Sequence, residues 1–217
     1  MRALVCRKLG PPSGLSVHEI NDPGPSAGQV VVDVAAAGLN FPDTLIIEGK
    51  YQFKPELPFT PGGEASGVIS AVGEGVGHLS VGQRVIALST YGAFAEKWAV
   101  PVTGVIPIPD ALDFESAAGF GLTYGTSYHA LVQRAQLRAG ETMLVLGAAG
   151  GVGSAAIEIG KHLGAEVIAA ASTSEKLQFA SDLGADHLID YSTEDLRDRL
   201  KELTGGRGVD VVYDPVG

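Results

Sequence analysis

One segment, Thr142–Thr173, reads TMLVLGAAGGVGSAAIEIGKHLGAEVIAAAST and limits what the chain can fold into more than any other. Thr142 to Leu146 is a short β-branched and apolar run, the composition of a buried parallel strand. It leads into Gly147-Ala148-Ala149-Gly150-Gly151-Val152-Gly153, and from there Val152, Ala155, Ala156, Ile159 and Leu163 recur at helical spacing until Gly164 stops the helix. Glu166 to Ala171 then reads as a second strand. Strand, glycine turn, helix and strand make a βαβ unit, which requires parallel strands joined by a right-handed crossover.

The glycines have a mechanical purpose in that setting. A backbone without Cβ lets a pyrophosphate approach closely, and the following helix aims unpaired N–H groups and its positive end at the anion. The G-x-G-x-x-G fingerprint falls on Ala148, Gly150 and Gly153, with alanine in the first place. A tight strand–helix turn without a ligand also uses glycine. The complete βαβ context favours the phosphate reading, with Ala149, Gly150, Gly151, Val152 and Gly153 forming the cradle.

Bulk properties restrict the partners. With 217 residues, 45% of them hydrophobic and 18% charged, the chain is globular and large enough for two small domains. A net charge of −10 without any basic cluster argues against nucleic acid and anionic membrane surfaces. Cys6 is the only cysteine, so neither an internal disulfide nor a cysteine metal cluster can form, as expected of a reducing, cytoplasmic setting. No apolar run reaches the length of a membrane span or signal sequence.

Residues 1–110 have a different texture. Arg2–Cys6, Ser16–Ile20, Val30–Val34, Ser66–Val72, Arg84–Leu88 and Glu96–Val100 are short β-like runs divided by Gly and Pro, as in a small barrel or partly open sheet. Past Pro109 the chain becomes richer in Ala and Leu. Helices are expected around Glu115 and from about Thr123 to Ala135, with Asp113 and Ser116 as start signals. After the βαβ unit the alternation continues: helix Ser174–Leu183, strand His187–Asp190, helix Asp195–Leu203, strand Val209–Tyr213. The expected fold is therefore α/β, a β-rich domain over residues 1–115 followed by a doubly wound parallel-sheet domain over 116–217.

At this level of detail the chain resembles the medium-chain dehydrogenase/reductase superfamily, a GroES-like domain joined to a Rossmann domain. Within it, the match is to the zinc-free NADPH:quinone oxidoreductase group related to zeta-crystallin. The residues carrying the match are Gly38-Leu39-Asn40-Phe41-Pro42-Asp43, Gly49-Lys50-Tyr51, Pro61-Gly62-Gly63-Glu64, Ala148 to Gly153, Gly184-Ala185-Asp186 and Asp190-Tyr191. The resemblance implies NADPH as cofactor and a small quinone or enone as acceptor. It places Asn40, Asp43 and Tyr51 on the acceptor side and Thr126 beside the nicotinamide. It also puts Ser172, Lys176 and Tyr191 on the 2′-phosphate. The stretch after the second strand, Ala169 to Ser174, lacks the acid that NAD-specific folds use for the ribose diol. Plainer roles compete for several of these: a loop cap for Asn40, a helix cap for Asp43, core packing for Tyr51. For Ser172 the competing role is a capping box, Ser172-x-x-Glu175.

Zinc-dependent relatives hold their metal with cysteine, histidine and an acid. Here the cysteine region reads Leu39-Asn40-Phe41, and Gly63 replaces the histidine before Glu64, which reads as a buried structural acid. His18, His78, His129, His162 and His187 are scattered singly. Two further activities fit the resemblance. One is reduction of an enoyl thioester or alkenal with Tyr51 as proton donor; the other is NADPH binding without turnover. Relatives continue well past the position of Gly217 and form homodimers, so the chain is expected to be C-terminally incomplete, with Val209–Tyr213 as an open sheet edge.

Overall fold

The computed structural model describes residues 1–217, which divide into two compact units, Met1–Leu122 and Thr123–Gly217. The division lies slightly beyond the 115/116 boundary expected from composition. Its cause is the helix α2 (Phe114–Ala118), which packs on two strands of the first unit and therefore belongs to it. Asp113 caps that helix as expected, accepting from Ser116 N at 2.7 Å.

The first unit is built on an antiparallel sheet of five strands. They are β3 (Gln29–Gly38), β4 (Glu64–Val72), β5 (Arg84–Leu88), β6 (Lys97–Pro101) and β7 (Val105–Pro107), in the order β6-β3-β4-β5-β7. A separate pair, β1 (Arg2–Val5) and β2 (Ser16–Glu19), closes one side. The sheet is the partly open alternative of the two expected. Its core holds Val30, Val32, Ile69, Val85, Trp98 and Val100.

Strand β3 runs four residues past the Val30–Val34 signal, and the extension shows why composition hides it. Ala35 to Gly38 carries no β-branched side chain. The register to β4 shifts twice, between Val31 and Val32 and between Val34 and Ala36. At its end a Cβ on Gly38 would stand 2.3 Å from Ala118 O and 2.6 Å from Glu64 Oε1. Small residues are thus what let this strand end against α2 and a buried carboxylate. The short helix α1 (Phe41–Ile47) follows; it was not legible as an element, because an Asn-Phe-Pro start reads as a turn.

The second unit is a parallel sheet of β8 (Thr142–Val145), β9 (Glu166–Ala171), β10 (His187–Asp190) and β11 (Val211–Tyr213), ordered β10-β9-β8-β11. Taken in chain order this is 3-2-1-4, the arrangement of a doubly wound nucleotide fold. The crossovers are α4 (Gly151–His162), α5 (Ser174–Asp182) and α6 (Leu196–Leu203). Leu196, Leu200 and Leu203 pack as a stripe against Leu144, Ile168 and Ile189. The helix expected up to Ala135 is α3 (Gly121–Tyr128), which continues as a wider π turn over His129–Arg134.

The strand starts are tied by polar groups. Thr142 N donates to Asp210 at 2.8 Å and Thr142 Oγ1 to Glu166 at 3.1 Å, while Arg207 reaches the same hydroxyl. Glu166 pairs with His187 at 3.0 Å, and Lys161 meets both oxygens of Asp186 at 2.7 Å. No helix is long and apolar enough to cross a membrane.

Candidate functional site

Within the second unit the glycine turn has the geometry of an anion cradle. Gly147 takes φ +56°, a left-handed conformation that turns the chain out of β8. Gly150 is the N-cap of α4 in extended conformation, and Ala148 N donates to Ala170 O, tying the turn to β9. The first helical amides, from Gly151 on, have no intrahelical acceptor by construction. Gly153 is the most constrained position: a Cβ there would stand 2.4 Å from Gly147 O and 3.1 Å from Ala148 Cα. Ala149 is half-buried, and Val152 turns its side chain into the core.

Hydroxyls brace this turn from α3. Ser127, fully buried, donates from Oγ to Val152 O at 2.8 Å and lies 2.9 Å from the Tyr213 hydroxyl at the end of β11. The Tyr124 hydroxyl donates to Glu158 of α4; that hydrogen bond, with burial adding to it, pushes the phenol up to about 12. Thr126 is exposed on the same helix.

At the ends of β9 and β10 the chain gathers Ser172, Lys176 and Tyr191. Asp190 lies opposite Ala171 in register, and Tyr191 N donates to Ala171 O at 3.2 Å, which places Tyr191 beside the start of α5. The cap of α5 is Thr173, whose Oγ1 accepts from Lys176 N at 3.3 Å. The capping-box role considered for Ser172 therefore falls to its neighbour, because the helix starts one residue later than the motif implies. Lys176 and Tyr191 are exposed and Ser172 half-exposed.

The first unit carries a second, polar-centred turn. Asn40 N donates to Asp43 Oδ2 at 2.8 Å, the side-chain half of a capping box at the start of α1. Asp43 is 3% exposed and also accepts from the backbone amides of Gly62 and Gly63. Burial pushes its carboxyl up, and these three amides oppose the rise. The structure thus places Asp43 in the cap, with its oxygens turned to backbone rather than outward.

Asn40 Nδ2 donates to Glu64 Oε1 at 2.9 Å, and Leu122 N donates to Glu64 Oε2 at 2.8 Å. Glu64 is 1% exposed. Burial pushes its carboxyl up most, Asn40 and Leu122 oppose this, and the charge of Asp43 adds to the rise. Tyr51 is half-buried and packs its ring on Cys6, Ile46, Ile47 and Phe59, away from the Asn40 turn. Leu39 and Phe41, on either side of Asn40, are 77% and 75% exposed. The partnership of Asn40 with Glu64 and this apolar rim were missed from sequence. The segment Pro61-Gly62-Gly63-Glu64, an acid held among glycines in an apolar strand start, was the available signal.

Comparison with known proteins follows these two units. Residues 26–110 match the alcohol dehydrogenase GroES-like domain family, and residues 151–217 match the zinc-binding dehydrogenase family. The solved structure of a probable oxidoreductase from Mycobacterium abscessus is 44% identical, with a TM-score of 0.93, over 100% of this chain and 69% of that one. The chain belongs to the zinc-free quinone oxidoreductase group of the medium-chain dehydrogenase/reductase superfamily. Escherichia coli quinone oxidoreductase, solved in complex with NADPH, is a further group structure: 38% identical, TM-score 0.94, over 100% of this chain and 67% of that one. The quinone oxidoreductase-like protein 2 homolog of Nematostella vectensis is 41% identical over all of this chain and 59% of its own length. The chain spans about three fifths of the length of the curated relatives it matches most strongly.

The second family's description raises zinc, and the donor set decides against a fit. No three His, Cys, Asp or Glu side chains gather to hold a metal. Glu64 spends both oxygens on Asn40 and Leu122, and Cys6 lies buried with its thiol turned to Lys8 O.

Proposed function

We propose that the protein is an NADPH-dependent reductase that passes hydride to a quinone or a similarly activated carbonyl without zinc. The observation that carries the reading is the end of β9. It offers hydroxyls and a lysine, Ser172, Lys176 and Tyr191, where a ribose-binding acid would otherwise stand, beside a glycine turn shaped for a pyrophosphate. Lys176 makes no ion pair within the chain, so its charge is available to a 2′-phosphate. The NADPH complex of the 38%-identical E. coli enzyme supports the same reading.

NADPH, when bound, supplies the hydride; the protein supplies binding, orientation and polarity. In this reading the amides of Gly151 to Gly153 hold the pyrophosphate and Thr126 lies beside the nicotinamide. Asn40 offers the one polar group between Leu39 and Phe41, a surface suited to a flat apolar acceptor with a carbonyl edge. Asp43 acts as a positioning residue for the Asn40 turn. A quinone suits a site without a Lewis acid, because it is already electrophilic. The reading further takes the protein to be cytoplasmic and homodimeric.

A second activity rests on Tyr51, whose hydroxyl has no hydrogen-bond partner within the chain and could serve as proton donor to an enoyl thioester or alkenal. The purified protein should be assayed for NADPH oxidation with a quinone, an alkenal and an enoyl thioester, before and after prolonged chelation. Turnover with quinone, unchanged by chelation, is expected. Tight NADPH binding without turnover on any acceptor would replace this reading with a non-catalytic one, and turnover abolished by metal removal would refute it.

A further inference from the structure

The proposal concerns how Asn40 is aimed, and it rests on the reading of the Asn40 turn as an acceptor surface. An asparagine side chain has two unlike ends, a carbonyl that accepts and an NH₂ that donates, and free rotation would present either. Here its surroundings break that symmetry. Glu64 Oε1 lies 2.9 Å from Asn40 Nδ2, and a carboxylate can only accept. The nitrogen end must face Glu64, which turns Oδ1 away from it.

The carboxylate is itself immobilised. Its second oxygen accepts from Leu122 N at 2.8 Å in the first turn of α3. Its chain is held in β4, paired to Gly38 of β3 on one side and Leu88 of β5 on the other. The absence of a Cβ at Gly38 leaves it room, since one would come within 2.6 Å of Oε1. Asn40 is fixed from its main chain too, through its N–H to Asp43. Two buried acids therefore grip one residue, one by its backbone and one by its amide. A carboxylate buried to this degree is costly unless fully hydrogen-bonded, and packing alone would be served by an apolar side chain.

We propose that Glu64 is a positioning residue for the reaction: it sets the orientation of the Asn40 amide, so that Oδ1 and one N–H of Asn40 are presented to the acceptor in a fixed arrangement. A glutamine at this place is the informative change. It keeps the size and can still accept from Leu122 N, but it presents an NH₂ where the carboxylate accepted. Asn40 then meets it best with Oδ1, and the amide inverts.

The test pairs a double-mutant cycle with a direct readout of the amide. Glu64→Gln should lower quinone kcat about 10-fold or more while NADPH affinity stays within about twofold, as expected when orientation rather than cofactor binding is lost. In an Asn40→Ala background the same change should have little further effect. The ¹⁵N–¹H resonances of the Asn40 side chain, assigned by their absence in Asn40→Ala, should show a proton shifted by the carboxylate bond that returns toward ordinary values in Glu64→Gln. Glu64→Asp keeps the charge but is too short to span both partners; it should lose part of kcat by the same route and serves if the glutamine variant does not fold. Losses that add independently across the cycle, or an Asn40 resonance unmoved in the Glu64 variants, would overturn the proposal. If Asn40→Ala leaves quinone turnover within twofold, the acceptor-surface reading fails instead, and the resonance still decides whether Glu64 aims the amide.

Discussion

Replacing Gly153 by alanine adds a single methyl group, and the structure sets what it would meet. The new carbon would stand 2.4 Å from Gly147 O and 3.1 Å from both Ala148 Cα and Gly147 C, all main-chain atoms of the turn itself. Ordinary contact begins near 3.4 Å, so the loop must retreat by roughly 1 Å at the oxygen, and no side chain can yield in its place. Overpacking of this kind costs about 1–3 kcal/mol. For a domain of this size that lowers the melting temperature by roughly 4–20 °C. A retreat of that size also displaces the amides that would hold a pyrophosphate, so NADPH affinity should fall by about 10-fold or more. Gly151→Ala supplies the control, because its Cβ would meet only Thr123 Cγ2, at 3.0 Å, a side-chain methyl able to shift. Thermal unfolding and fluorescence titration with NADPH on both variants decide the matter. A Gly153→Ala protein that melts and binds like its parent, or a Gly151→Ala protein equally damaged, would show that the turn is not limited by backbone approach.

Three further outcomes are expected. Lys176→Glu should weaken NADPH about 10- to 100-fold and NADH much less, because only the phosphate meets the reversed charge; equal losses in the two titrations would remove Lys176 from the 2′-phosphate site. Tyr51→Phe keeps the packed ring, so quinone turnover should hold while any enoyl reduction drops ~10²-fold, and steady-state rates that stay level for both leave Tyr51 as core packing. Burial pushes the Asp186 carboxyl up, but Lys161 and the Val167 amide together outweigh it and hold it below its usual value. Its contribution is therefore present at neutral pH and lost as the pH falls through the carboxylate range. Asp186→Asn should cost about 1–2 kcal/mol at pH 7 and progressively less toward pH 3, by denaturant unfolding; a difference independent of pH would contradict the assignment.

Much of the second unit was legible because its signals are local. The run Thr142–Leu146, the glycine turn, the spacing of Val152 to Leu163 and the stop at Gly164 lie within one βαβ unit. The strand Glu166–Ala171 was read residue for residue. The first unit was legible as short strands but not in their extent. Ala35–Gly38 continues β3 for a reason outside its own composition: the approach of Ala118 and Glu64. The three-residue β7 is held by pairing to β5 alone, and α1 hides behind a proline. Asn40 and Glu64 were both noticed, but not as partners. Their contact spans 24 positions and depends on the β3–β4 register, with its two shifts, which no periodicity announces.

The parallel sheet of the second unit separates two kinds of evolutionary constraint along the same strands. At their starts, Thr142, Asp186, His187 and Asp210 serve only the cohesion of the sheet, through bonds that charge-conserving or hydroxyl-conserving exchanges could rebuild in other combinations. At their far ends, Gly150, Gly153 and Ser172 stand where a change is felt by whatever the turn holds. A lineage carrying this domain can therefore adjust its working temperature by substitution at one end while its ligand preference drifts, or is conserved, at the other. The cores of β8 and β9 stand between the two ends and insulate them from each other.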